Sequence, residues 1–304
     1  MIKNIKIKKN FKIRLDKFLK SLYTSLTQSF IEKNIRKKNI LINNSKTAAN
    51  YLVKINDNLN ILNFHENIYK NKIVYKKNII VPKNILKKFY ESIIFQNNDF
   101  MIINKWSQIA TQGGSKINIS IDHILKKINP NYRLVHRLDK ETSGLLIIAK
   151  NLKNAKFFSN LFNQKNITKL YLALCEGSPS LNQSQVNLDI RNKKLKFDNT
   201  LTNYKVLSTK GGISQILFNP KTGKTHQIRI VSKNLGSPIV GDKKYNNQPK
   251  FTRENLMLHA YGLIFFINNK KFQFTANLPD HFQTFIKKNK LKLSKGLDKI
   301  FNIF

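Results

Sequence analysis

The amino-acid sequence predicts an α+β protein: a large domain built on a mainly antiparallel mixed sheet, preceded by a small α/β unit. Three observations carry that expectation. Over residues 91–290, short apolar runs bounded by Asn-, Gly- and Pro-containing turns outnumber helical stretches. Neighbouring runs are joined by tight turns, such as Asn97-Asn98-Asp99 and Asn268-Asn269, which suit hairpins rather than helical crossovers. Residues 13–65 read instead as two short helices followed by a small ribbon. The expected organisation is a unit over 13–65, a basic linker over 66–90, the main domain over 91–290 and a basic tail over 291–304.

In the first unit, Leu15, Phe18, Leu19 and Leu22 share one helical face, and Phe30, Ile31 and Ile35 mark a second helix. "ILINN" and "NYLVKINDNLNIL" then alternate like short strands. Lys17, Lys20, Lys33, Arg36, Lys37 and Lys38 are the expected exposed cations. In the main domain, "SIIFQNNDFMIINKW" reads as a hairpin, "ISIDHILKKI" as a helix and "GLLIIAK" as a buried strand. "NLKNAKFFSNLFNQK" reads as a helix with Ala155, Phe158, Leu161 and Phe162 inward, and "KLYLALCEG" as a strand. "ISQILFNPKTGKTHQIRIV" reads as two strands around a turn. Alternation then places Thr225, Gln227 and Arg229 on one face, with His226, Ile228 and Ile230 on the other. "KNLGSPIVG" ends a helix at Gly236, "GLIFFINNKKFQFTANLP" is a hairpin, and a closing helix follows Pro279.

Composition narrows the function. The 304 residues are 41% hydrophobic, enough for a substantial core. Against 55 Lys and Arg stand only 16 Asp and Glu, a net charge of +39. Only seven of the cations are Arg, so an A/T-rich coding bias accounts for much of the Lys excess. A charge of this size still calls for a polyanion, and nucleic acid comes before a membrane surface. No apolar run reaches the roughly 20 residues of a membrane span. Cys175 is the only cysteine, which excludes a disulfide framework and suits a reducing, cytoplasmic setting.

Common catalytic motifs fail on inspection. "KTGKTHQ" carries Gly-Lys-Thr, but Phe218 stands where a phosphate-binding loop needs its first Gly, and the segment reads as lying between strands. "HRLD" lacks the downstream Asn and Gly-rich loop of a kinase. There is no Gly-x-Ser-x-Gly and no His-Glu-x-x-His, and the spacing of His136, Asp139 and His226 asks for no metal. What remains is Asp139 in "LVHRLDKETSGLLIIAK", flanked by Arg137 and Lys140. Those cations favour the ionised carboxylate, a nucleophile or base rather than an acid. Glycoside hydrolysis normally needs two carboxylates, and Glu141 reads as a surface residue of the turn. On chemistry alone Asp139 serves equally well as a turn cap or as a catalyst.

"HRLDKETSGLLIIAK" resembles the signature of the pseudouridine synthases that modify large-subunit ribosomal RNA and some transfer RNAs, through His136, Arg137, Leu138, Asp139, Thr142, Ser143 and Gly144. "KLYLAL" with Tyr171, "TGKTHQIRI" with Arg229, "GSPIVGDKKY" with Asp242 and Tyr245, and "LMLHAYGL" with His259 resemble further segments of that family. The chain departs from the pattern at Trp106 (usually Pro), Lys224 (more often Arg) and Asn246 (usually Gly). "IRLDKFL" through "NLNIL" resembles an S4 RNA-binding domain, with Arg14, Lys17, Arg36 and Lys37 as its expected contacts.

The resemblance implies that Asp139 attacks while uracil is detached at N1, rotated and rejoined through C5. It gives Arg137 the place vacated by the flipped base, Tyr171 the stack on that base, and Arg229 a pairing with the Asp139 carboxylate. His136 and Ile228 complete the expected substrate contacts. It implies no cofactor and no metal, a large-subunit rRNA partner, no membrane, and a monomer. "THQIR" and "TQGGS" are closest to the members acting near the peptidyl-transferase centre. The alternatives are a member acting on another helix of the same rRNA, a transfer-RNA enzyme, and a non-catalytic ribosome-assembly factor.

Overall fold

The computed structural model describes residues 1–9, 13–71, 80–114, 117–191, 195–293 and 301. The chain divides into two compact units, Met1–Asn78 and Ile79–Phe304. The first consists of β1 (Lys3–Lys6), α1 (Leu15–Leu22), α2 (Gln28–Arg36), β2 (Ile40–Ile42) and β3 (Asn58–Ile61), its strands ordered β1-β3-β2 and all antiparallel. Leu15, Phe18 and Leu19 of α1 and Ile31 and Ile35 of α2 are buried against Leu59 and Ile61, as their helical spacing requires. Thr27 caps α2 by accepting from the Phe30 amide at 3.2 Å. This unit is wider than the expected 13–65, because β1 pairs with β3 and Tyr69 stacks on Phe64 at 5.0 Å. Lys20, expected to be exposed, is half-buried and donates to the Thr24 and Leu26 carbonyls.

The second unit opens with α3 (Lys83–Glu91), a helix in the stretch that reads as linker; residues 72–79 of that stretch lie outside the described residues. There follow β4 (Ile93–Gln96), β5 (Phe100–Lys105), α4 (Ile121–Ile128), β6 (Arg133–Leu134), β7 (Ser143–Ala149), α5 (Leu152–Asn163) and β8 (Thr168–Glu176). Then come β9 (Gln183–Arg191), β10 (Phe197–Lys210), β11 (Ile213–Pro220), α6 (Gln227–Asn234), β12 (Leu258–Ile267), β13 (Lys270–Thr275) and α7 (Asp280–Lys288). One sheet runs β4-β5-β7-β12-β8-β11-β10-β9, with β13 on β12 and β6 on β7. Every pair is antiparallel except β7 with β12.

Strand β7 is buried along its whole length, and its alternation splits the core into two layers. Leu145 and Ile147 join Phe100, Phe158 and Phe265 beneath α5, while Leu146 and Ile148 join Phe89, Ile124 and Leu125 of α3 and α4. A third cluster packs α6 and α7 on β8 and β11 through Val231, Phe282, Phe285 and Phe218. The β9–β10 hairpin escapes the sequence reading because Asn, Gln, Ser and Thr crowd it, although Val186, Leu188 and Ile190 alternate as a strand's buried face does.

The parallel junction of β7 and β12 needs a glycine. Gly144 has φ of 112°, and a Cβ there would fall 2.6 Å from the Ala260 nitrogen and closer still to its oxygen. Beside it, the Ser143 hydroxyl bonds His259 Nδ1 at 2.8 Å. His259 is fully buried, and burial pushes its imidazole down to about 3.

Gly144→Ala should therefore lose at least about 2–3 kcal/mol, from overpacking against backbone and from the left-handed φ; urea unfolding would measure it. His259 and His136 (also pushed down to about 3) make stability depend on pH. Their folded values lie below the ordinary 6.5, so the unfolded chain protonates first. The contribution of these two histidines is full well above pH 6.5 and is lost as pH drops below it, by up to roughly 1.4 kcal/mol per unit for each. Denaturant midpoints at pH 6.5 and 5 should show the fall, and His259→Gln should make it shallower; equal slopes would refute the assignment.

Candidate active site

Asp139 sits in the loop that leads from β6 into β7, and that loop is held by its backbone. Lys105, at the end of β5 and fully buried, directs its ammonium at the carbonyls of Trp106 (3.1 Å), Ile109 (3.0 Å) and Lys140 (3.4 Å). Burial pushes Lys105 down to about 7, against the pull of the nearby Asp139 carboxylate. Thr111 both donates to the Leu138 carbonyl (2.7 Å) and accepts from its amide (3.1 Å). Ser107 donates to the Glu141 carbonyl at 2.7 Å. Leu138 is buried between these anchors, and Asp139, next along, is turned into a cleft with its side chain 24% exposed.

The cleft has a volume of about 490 Å³. Its walls are the Asp139 loop, Tyr171 on β8, the 220–226 segment and the start of α6. Asp139 is the one carboxylate among the described residues lining it, while Arg137, Lys165, Lys169, Lys221 and Lys224 all contribute cations. Arg137 is exposed. Burial, with the charge of Lys221 adding to it, pushes Lys169 down to about 8. Burial pushes the Tyr171 hydroxyl well up, the Asp139 carboxylate adding to this, so Tyr171 is a neutral phenol at the cleft wall. His136 lies behind the loop, where its Nε2 accepts from the Ile147 amide at 2.8 Å and its ring packs 4.6 Å from Phe162. Burial keeps it neutral, and it supports β7 while showing one face to the cleft.

The "THQIRIV" segment is helical, not the strand that its alternation suggests. Ile228, Val231 and Ser232 are buried at helical spacing as part of α6. Gln227 seals the turn before it, accepting from the Lys224 amide (3.0 Å) and the Thr222 hydroxyl (2.8 Å). The segment therefore does precede a helix, so only the missing glycine argues against a phosphate-binding loop. On a helix, Ile228 and Arg229 diverge by one residue's turn rather than lying on opposite faces, and both reach the cleft.

Arg229 is buried, and its carboxylate partners are not the expected one. Its Nε and Nη2 donate to Asp242 at 2.7 and 2.6 Å, and Nη1 donates to Glu141 at 3.2 Å. Glu141 is thus tied to Arg229 while its side chain stays 40% exposed. Burial raises the Asp242 carboxyl, but Arg229 and the amides of Lys244 and Tyr245 outweigh it and hold Asp242 below the ordinary carboxylate value. Beside Asp139 stands the His226 imidazole, whose Nε2 lies 3.7 Å from Oδ2. Lys105, His226 and Glu141 were not legible as site residues; the signal for Lys105 is a charged residue closing the otherwise apolar strand "FMIIN". Among the described residues no three His, Cys, Asp or Glu side chains gather to hold a metal ion, and no helix is long and apolar enough to cross a membrane.

In the first unit, Lys17, Arg36 and Lys37 are exposed, as is Arg14, whose guanidinium is forked onto the buried Asp16 at 3.1 and 2.8 Å. Asp16 also accepts from Gln28 at 2.8 Å. These cations stand on or beside α1 and α2.

Residues 99–234 match a family model described as RNA pseudouridylate synthase. The chain is 38% identical over 288 residues to ribosomal large subunit pseudouridine synthase C of Rickettsia prowazekii, covering 88% of this chain and 95% of that one. It is 39% identical over 289 residues to the protein of the same name from Rickettsia felis, covering 88% and 94%. The structure of human RNA pseudouridylate synthase domain containing 4 superposes with a TM-score of 0.62 at 23% identity, over 70% of this chain and 98% of that one, which bears on the fold. With identity at this level along most of its length, the chain belongs to the RNA pseudouridine synthase family.

Proposed function

We propose that this enzyme converts specific uridines of large-subunit ribosomal RNA to pseudouridine, with Asp139 as the reacting carboxylate. The observation that carries the reading is Asp139 itself, the lone acid of a cationic cleft, on a loop clamped through its backbone. The substrate class rests on the relatives, which are named for the large ribosomal subunit.

The chemistry suits a single carboxylate. The N1–C1′ bond breaks, uracil turns, a C5–C1′ bond forms, C5 loses a proton and N1 carries one. The product is an isomer, so the balance calls for no redox partner, and no second acid is needed because uracil is not lost to water. An anionic oxygen at the sugar is the requirement; His226 Nε2 lies 3.7 Å from Asp139 Oδ2, and the Asp139 charge reaches the buried Lys105 ammonium. The flipped base leaves its stack at a cost of a few kcal/mol. Arg137, exposed at the mouth, is placed to fill the vacated position, and Tyr171 to stack on the uracil. Arg229 acts from behind: by holding Glu141, two residues from Asp139, it ties the reactive loop to α6. The cationic rim follows the phosphates, and the first unit, read as an S4 domain, adds contacts through Lys17, Arg36 and Lys37. We place the enzyme in the cytoplasm, acting as a monomer near the peptidyl-transferase centre.

Asp139→Asn should reduce pseudouridine formation to below about one-thousandth of the native rate while RNA affinity stays within about three-fold; retained turnover would remove Asp139 from the chemistry. Pseudouridine mapping in cells lacking the protein should show large-subunit sites reverting to uridine. Loss confined to transfer RNA would instead assign that substrate.

A further inference from the structure

His226 combines three features that packing alone does not require. Its backbone is left-handed, φ 56° and ψ 21°, a conformation costly for a residue with a side chain. It occupies the position preceding α6, where a short polar side chain would ordinarily cap the helix, yet its imidazole makes no cap bond. The ring turns instead between two functional groups. Nδ1 lies 2.9 Å from the Tyr245 hydroxyl, and Nε2 lies 3.7 Å from Asp139 Oδ2.

The tautomer follows from the neighbours. The Lys244 ammonium lies 3.5 Å from Nδ1 and can only donate. The Tyr245 hydroxyl meets the same nitrogen, so Nδ1 is the acceptor and the proton of a neutral ring resides on Nε2. The ring is kept neutral by burial, reinforced by Arg229 and Lys244, with Asp139 and Asp242 pulling the other way. Tyr245 is itself braced, since the Arg229 guanidinium lies 5.2 Å and the Lys244 ammonium 5.1 Å from its ring centre. A gap of 3.7 Å is too long for a hydrogen bond but short enough to close when a nucleoside fills the cleft.

We propose that His226 is a positioning residue for the isomerisation: its Nε2–H donates to Asp139 as the uridine binds and aims the carboxylate at the sugar, while Tyr245 sets its tautomer. This rests on Asp139 being the reacting group. A donor is all the role requires, so a glutamine amide can substitute for the imidazole, whereas it could not replace a base that takes up a proton.

The test measures kcat and KM on an rRNA fragment containing the target uridine. His226→Ala should lower kcat by roughly 10–100-fold with KM within about three-fold, the scale on which a misaimed reacting group slows catalysis. His226→Gln should recover to within about five-fold of the native kcat. Tyr245→Phe, which keeps the ring and removes only the hydroxyl, should lose about 3–10-fold in kcat. Asp139→Asn run alongside separates the two readings. If it is inactive while His226→Ala turns over within two-fold of the native enzyme, or if His226→Gln is no better than His226→Ala at unchanged melting temperature, the positioning role is overturned. If Asp139→Asn stays active, the fault lies with the assignment of Asp139.

Discussion

The approach of β7 to β12 at Gly144 is the constraint on which the active site depends. Among the described residues these are the two strands of the sheet that pair in parallel, over His259↔Ser143 and Ala260↔Gly144. A side chain at Gly144 would strike Ala260 backbone, so the two strands can meet this closely only over a glycine. The close approach brings Ser143 onto His259. Asp139 lies four residues before Ser143, in the loop that enters β7. Lys105, Ser107 and Thr111 hold that loop by its backbone rather than by the reacting side chain.

Acids are scarce in this chain, and several of them are committed to holding cations or amides. Asp242 and Glu141 enclose Arg229, Asp16 receives Arg14 and Gln28, and Asp57 accepts from the Lys54 amide (2.8 Å), Asn43 (3.0 Å) and Tyr51 (3.0 Å). Removing one partner of a buried pair such as Arg229–Asp242 leaves a stranded charge, at a cost of about 3–5 kcal/mol. An exposed pair such as Lys87–Glu91, at 3.9 Å, contributes at most about 1 kcal/mol. Against this background Asp139 stands out: it lines a cleft, a quarter exposed, without a bidentate partner. A carboxylate fully paired like Asp242 would be a poor nucleophile, because its lone pairs would already be taken.

Much of the fold was legible because its signals are local. The helical spacing of Leu15, Phe18 and Leu19, the turns at Asn97-Asn98-Asp99 and Asn268-Asn269, and the apolar run of β7 each depend on a few neighbours in the chain. The failures are equally instructive. "THQIRIV" alternates like a strand because β-branched and polar residues happen to interleave, yet burial of Val231 and Ser232 beneath β8 and β11 selects the helix. The β9–β10 hairpin is polar on most positions, and its pairing is supplied by the adjoining β11. The sharpest miss is Arg229, since pairing choices among Asp139, Glu141 and Asp242 are made by distances between segments remote in sequence.

The sequence by itself determined the α+β class, most of the elements, and Asp139 as the carboxylate to watch, because residue type, spacing and motif all reside in contiguous stretches. Only the tertiary structure decided that Lys105 is a buried clamp, that Glu141 belongs to Arg229, and that His226 and Tyr245 stand behind Asp139. The physical reason is the same in each case. A charge's partner is set by three-dimensional distance and by exclusion of water, and neither quantity exists until β5, β7, α6 and the 242–245 segment are brought together.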